Sequence, residues 1–209
     1  MSVHSSRLFV IAAPSGAGKT TLVKALVRRN PNLSFSVSYT TRKKRSNEVE
    51  GQDYFFVSED EFDRLARDGE LLESAQVFDN RYGSGRAQVE SRLAEGRDVI
   101  LEIDWQGARQ VRQSKPDAVS VFILPPSLSE LERRLRNRRT DSDAVIARRL
   151  KDAIGDISHW DEFDYVIIND DLETSVLELE SIIAGQGEEN RSAAPELRCR
   201  VREILGSEA

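Results

Sequence analysis

The chain has 209 residues, 39% hydrophobic and 32% charged, with a net charge of −6, a balance that fits one soluble globular domain and excludes a disordered chain or a broadly basic nucleic-acid binder. A single cysteine, Cys199, excludes an intrachain disulfide and a cysteine-held metal, while His4 and His159 alone cannot build a multi-histidine centre. Apolar runs fall far short of the roughly 20 residues of a membrane helix, and the polar start Met1 to Ser6 lacks a secretory pattern, so a cytoplasmic protein with no membrane partner is expected.

Leu8 to Ala12 is a short apolar run that reads as a buried strand. It passes through Ala13-Pro14-Ser15-Gly16-Ala17-Gly18-Lys19-Thr20 into a helix over Thr20 to Arg29, where Leu22, Val23, Leu26 and Val27 recur at helical spacing before Asn30-Pro31. Strand, glycine turn and helix in this order are the context of a phosphate-binding P-loop. Gly16 and Gly18 let successive N–H groups point inward, and the helix N-terminus adds partial positive charge. Lys19 reaches the terminal phosphates of a donor, and the Thr20 hydroxyl suits Mg²⁺. Ala13 stands where the usual pattern has glycine. The motif predicts nucleoside triphosphate binding, and ATPases, GTPases and kinases share it.

Between Ser34 and Ala75 the pattern turns to short strand-like pieces, Phe35 to Tyr39, Tyr54 to Val57 and Leu71 to Ala75, with a polar loop and a helix among them. That predicts a small mixed sheet inserted into the core. The run Arg42, Lys43, Lys44, Arg45 reads either as an anion site or as a solvated loop or nucleic-acid patch. Buried-strand runs at Val99 to Ile103, Val119 to Leu124 and Tyr165 to Ile168 alternate with helical segments, the pattern of a parallel sheet covered by helices. Strand periodicity sets Glu102 and Asp104 on one face at a carboxyl end, there to meet Mg²⁺ or a base, or simply solvent. Ser58 with Glu61 and Ser127 with Glu130 are spaced as capping boxes, and Gly69, Gly96 and Gly185 suit helix exits.

From Ser127 to about Trp160 the chain is arginine-rich and helical, with Val145, Ile146, Leu150, Ala153, Ile154 and Ile157 in one apolar stripe. Asn169-Asp170-Asp171 either contacts an adenine or ribose or caps a helix over Leu172 to Ala184. The polar stretch Gly185 to Pro195 reads as a flexible hinge before a last helix, Glu196 to Leu205.

Five segments in order between about Leu8 and Ile183 resemble the guanylate kinase family: Ala13 to Thr20, Ser36 to Arg42, Glu50 to Tyr54, Tyr82-Gly83-Ser84 and Ile103 to Gly107. The resemblance implies an α/β fold with a P-loop three-layer core and a parallel sheet (7–33, 97–126 and 161–184). Within the same single domain it implies a GMP-binding region of small mixed sheet (34–96), a helical lid (127–160) and a terminal helix (196–205). The implied reaction moves the γ-phosphate of MgATP to GMP and dGMP, giving ADP and GDP, in purine nucleotide metabolism. ATP would lie on residues 13–20 with Thr21 and Asn169, and Mg²⁺ on Thr20. Arg42, Arg45, Tyr54 and Tyr82 would hold the GMP phosphate, Glu73 and Asp104 the guanine N–H donors, and Ser84 with Ser38 its O6. Lys19, Arg42 and the lid arginines Arg134, Arg138 and Arg149 would stabilise the transferring phosphoryl group. The attacking phosphate oxygen is already anionic, so the implied reaction needs no general base. Arg81, where many relatives carry tyrosine, receives no role.

Two rivals remain. A kinase of another phosphorylated acceptor, such as a ribose bisphosphate, would have no use for the guanine-facing group. A scaffold module that binds phosphorylated peptides would usually carry a damaged phosphate loop.

Overall fold

Strands built from unbroken apolar runs need cover on both faces, and helices supply it. The structure, a computed structural model, describes residues 6–77, 79–137 and 143–206. Its strands are β1 (Leu8–Ala12), β2 (Leu33–Phe35), β3 (Ser38–Thr40), β4 (Phe55–Phe56), β5 (Leu71–Val77), β6 (Asn80–Gly85), β7 (Asp98–Glu102), β8 (Val119–Leu124) and β9 (Tyr165–Ile168). Its helices are α1 (Lys19–Arg29), α2 (Glu59–Arg67), α3 (Arg86–Ala94), α4 (Trp105–Ser114), α5 (Leu128–Arg136), α6 (Asp143–Ile157), α7 (Leu172–Ile183) and α8 (Pro195–Leu205).

One sheet has the order β2-β7-β1-β8-β9, with β2 parallel to β7 and β8 parallel to β9. A second has the order β4-β3-β6-β5, in which β3 pairs in parallel with β4 and antiparallel with β6. The result is the expected α/β architecture with a separate mixed sheet. Among the described residues no helix is long and apolar enough to cross a membrane.

The chain divides into two compact units, Met1–Val10 with Asn30–Val119, and Ile11–Arg29 with Ser120–Ala209. In the first, α2 covers the mixed sheet: Phe62, Leu65 and Leu71 are buried together, with Tyr39, Val57 and Ala66 packed around them. Arg81 of β6 lies over the Phe62 ring at 4.4 Å and pairs with Asp63 and Glu59, which clamps helix to sheet. In the second, β8 and the end of β1 are buried, α1 packs on α7, and α5 on α6.

Several expectations are corrected. Phe35 to Tyr39 is not one strand: Phe35 ends β2 in the parallel sheet, and Ser38 begins β3 in the mixed one. The strand expected over Val99 to Ile103 starts and ends one residue earlier, because Asp98 pairs with Leu33 and Asp104 already caps α4. Strand β6 carried no apolar alternation and was not foreseen. In α6, Ile146, Ala153 and Ile157 are buried while Val145 and Ile154 face solvent, so the expected stripe is only partly covered. The stretch before α8 is stitched down rather than free: Asn190 donates to the Val166 carbonyl at 3.2 Å, and Arg191 bridges to Tyr165.

Capping works as expected on one side only. The Ser58 and Ser127 hydroxyls accept from the Glu61 and Glu130 N–H groups at 3.2 and 3.1 Å. Both glutamate carboxylates bond arginines on their own helices, Arg64 in α2 and Arg133 and Arg134 in α5.

Removing the Phe62 ring would empty the core under α2 and take away the surface on which Arg81 rests. Phe62→Ala is expected to lower stability by about 3–5 kcal/mol, read from the urea unfolding midpoint.

Candidate active site

The phosphate loop runs from the end of β1 to the start of α1. Gly16 and Gly18 have φ of 96° and 95°, in the left-handed region where a side chain is strained. Two neighbours also exclude a side chain. A Cβ on Gly16 would press on Leu131 and Leu135 of α5 at 3.0 Å, and one on Gly18 would collide with the Asn169 amide. The loop is held from outside by its Ala17 carbonyl, which accepts from Asn169 Nδ2 at 2.7 Å and from Arg134 Nη1 at 3.4 Å. Arg134 also donates to the Asn169 carbonyl at 3.1 Å and is steadied by Glu130 at 2.8 Å. Its two arginine partners, Arg133 and Arg134, hold the Glu130 carboxyl down at about 2.

Lys19 opens α1, with Thr20 and Thr21 exposed on its first turn. The backbone atoms of Ala13, Pro14 and Ser15 complete the loop, with Ala17 N–H donating to the Pro14 carbonyl. Arg149 lies half-buried on α6, and Arg138 falls outside the described residues. Asn169 therefore braces the loop, while the cap of α7 is Asp171, whose carboxylate accepts from the Thr174 N–H at 2.9 Å.

In the other unit, the four residues expected to face guanine include one buried carboxylate, Glu73, with the other three disposed about it. The register of β5 shifts between Leu71 and Glu73. Such a bulge re-aims the side chains that follow. Leu71 and Leu72 are consequently both buried, and Glu73 stands opposite Ser84. The Ser84 hydroxyl donates to Glu73 Oε1 at 2.8 Å, and Ser38 is the cross-strand partner of Ser84. Glu73 is 3% exposed. Asp104 is the N-cap of α4, accepting from the Gly107 N–H at 2.8 Å. A side chain on Gly107 would fall on Glu73 Oε2 and come within 3.3 Å of Asp104 Oδ1, so the two carboxylates converge on that glycine.

A second cluster holds the cations. Arg42 lies 5.4 Å from the Tyr54 ring and 5.6 Å from Phe56, and the Tyr54 and Tyr82 rings meet edge-on at 5.9 Å. Burial first, then the nearby Glu102 carboxylate, pushes the Tyr54 phenol up to about 12. It therefore remains a neutral hydrogen-bond donor across the physiological range. Both terminal nitrogens of Arg42 donate to Glu48, at 2.6 and 3.1 Å. Arg45 stands at the rim, 63% exposed and 3.8 Å from the same carboxylate. A fork of guanidinium donors beside two phenols is suited to a phosphate dianion.

Comparison with known proteins gives one consistent answer. Residues 5–186 match the family model described as guanylate kinase. The guanylate kinase of Methylococcus capsulatus is 53% identical over 199 residues, 95% of this chain and 98% of its own. That of Hydrogenovibrio crunogenus is 56% identical over 175 residues, 84% and 85% of the two chains. The chain belongs to the guanylate kinase family. The crystal structure of guanylate kinase from Anaplasma phagocytophilum superposes with a TM-score of 0.72 at 34% identity over 98% of both chains. Guanylate kinases are nucleoside monophosphate kinases, ATP:GMP phosphotransferases.

Sequence reasoning assigns nothing to Glu48 and does not foresee the bracing of the loop by Asn169 and Arg134. The only sequence signal for Glu48 is its place six residues after Arg42, too far apart for helical or strand pairing.

Two outcomes follow from this geometry. Gly18→Ala is expected to weaken ATP binding about tenfold or more with GMP binding unchanged, measured by separate titrations of the folded variant. Arg42 first, through its hydrogen bonds, and then the Arg45 N–H hold the Glu48 carboxyl below its ordinary value of 4.5. A carboxyl with a depressed folded value stabilises the fold fully above the ordinary value and loses that contribution as pH falls through the folded one. Urea midpoints measured from pH 6 down to 3 should therefore drop more steeply for the natural chain than for Glu48→Gln.

Proposed function

We propose that this guanylate kinase family member transfers the γ-phosphate of ATP to GMP, giving ADP and GDP, through the residues described above. The observation that carries the base assignment is the convergence of Glu73 and Asp104 on Gly107 with Ser84 and Ser38 alongside. Guanine offers N–H donors at N1 and N2 and an acceptor at O6, which two carboxylates and a hydroxyl match. Adenine lacks the N1 proton and the 2-amino group, so it would leave buried acceptors unpaired.

The same reading places the GMP phosphate against Arg42, Arg45, Tyr54 and Tyr82, with dGMP as a further acceptor. ATP phosphates would rest on the N–H groups of residues 13–20, with Lys19 on the terminal phosphates and Thr21 and Asn169 at the margin of the donor site. Thr20 would hold Mg²⁺: its hydroxyl is a hard oxygen exposed at the start of α1, and this ion takes few protein ligands, filling the rest with phosphate oxygens and water. Bound there, the ion would neutralise charge on the donor phosphates.

Catalysis is then alignment and charge neutralisation. An anionic GMP oxygen attacks in line, while Lys19, Arg42, Arg134, Arg138 and Arg149 stabilise the charge on the moving group. Within the lid region, α5 is fixed by Leu131 and Leu135 against the phosphate loop. Closure would therefore belong to residues beyond it, including Arg149. A cytoplasmic, nucleotide-recycling role in one domain follows from this activity.

Coupled ADP release with MgATP and each of GMP, AMP, CMP and UMP tests the reading. GMP should be preferred by about a hundredfold or more, with activity lost in Lys19→Ala. Folded protein inactive with every acceptor would point instead to a binding module. Tyr54→Phe removes one phosphate donor and is expected to raise the KM for GMP about tenfold with the KM for MgATP unchanged.

A further inference from the structure

We infer that Gln110 is a positioning residue for base selection, its side-chain amide setting the distance between the strand that carries Glu73 and the helix capped by Asp104. The inference rests on the reading that this site phosphorylates GMP. Strand β5 is the edge of the mixed sheet, so its outward N–H and C=O groups have no strand to pair with. At Ser74, next to Glu73, Gln110 meets both: its Oε1 accepts from the Ser74 N–H at 3.0 Å, and its Nε2 donates to the Ser74 carbonyl at 2.7 Å. A primary amide that bonds both groups of one residue acts as a single rung of an extra strand. It fixes the height of α4 along β5 as well as its distance.

Gln110 lies three residues after Gly107, so the two share a face of α4. Gly107 removes the side chain that would strike the Glu73 carboxylate, and Gln110 holds the helix at the approach this permits. Asp104 rides on the same helix as its N-cap. Glu73 and Asp104 thus belong to different elements, yet must meet two donors whose spacing is fixed by a rigid purine. The bond pair at Ser74 links those elements one residue from the first carboxylate. Loss of the link would blur the spacing, and the cost would fall on reading of the 2-amino group.

The test compares the natural chain with Gln110→Met, which keeps side-chain length and packing, and with Gln110→Ala. Acceptors are GMP and IMP, which lacks only the 2-amino group. Both variants should show about a tenfold fall in kcat/KM for GMP, carried by KM. The fall for IMP should be smaller, so that the preference for GMP narrows. The KM for MgATP should be unchanged, and the thermal midpoint should move by only a few degrees. Folded variants with the natural GMP-to-IMP ratio would overturn the inference. So would a parallel rise in the KM for MgATP, or loss of folding in both variants, since each marks a general structural role. Absence of GMP preference in the natural chain would instead overturn the assigned function.

Discussion

A carboxylate withdrawn from water is costly unless donors surround it, and the first unit is arranged around one such group. Glu73 reaches its position because β5 bulges just before it. It is answered by the Ser84 hydroxyl across the ladder and admitted by the bare face of α4 at Gly107. Each provision comes from a different element, so the mixed sheet, its bulge and the helix that follows β7 all meet at this one buried side chain. Under the proposed function, such a group aimed at a rigid ring with matching donors would convert burial into discrimination.

The second unit solves the complementary problem, a loop that must turn its N–H groups inward and so leaves its carbonyls pointing out. The Ala17 carbonyl is met by Asn169 from the end of β9 and by Arg134 from α5. The positive φ values of Gly16 and Gly18 are therefore supported from behind by the neighbours that forbid a side chain there. Arg134 is thus part of the frame of the loop. Any contact with phosphate would be a second use of a side chain that already bonds Ala17 and Asn169.

How far the sequence revealed this varies with the kind of signal. The parallel strands β1, β8 and β9 agree with their apolar runs residue for residue, because a strand covered on both faces is written as an unbroken apolar stretch. The mixed sheet was legible only in outline. Its strands are short, β6 is mostly glycine and polar residues, and the bulge at Leu71–Glu73 breaks the alternation that would reveal which way Glu73 points. The phosphate loop stands out as a contiguous motif, while the group proposed to face guanine is legible only through family resemblance, since Ser38, Glu73, Ser84 and Asp104 are scattered over four elements or caps. The bracing contacts of Asn169, Glu48 and Gln110 join residues whose separation obeys no local period, and no pattern in one sequence encodes them.

With Arg42 as the proposed holder of the acceptor phosphate, its pair with Glu48 would give that site the character of an ion exchanger. Both partners are sheltered, with side chains 15% and 11% exposed, so the guanidinium fork is never bare. A phosphate arriving there would exchange with a resident carboxylate rather than fill a vacant positive hole. For a simple inorganic anion the exchange replaces one set of charge-assisted bonds by another, with little net gain. Under the proposed function, a nucleotide brings a base recognised elsewhere in the same unit, and that added recognition would tip the exchange in its favour. Selectivity against the abundant free phosphate of a cell would in this way be built into the resting state of the arginine.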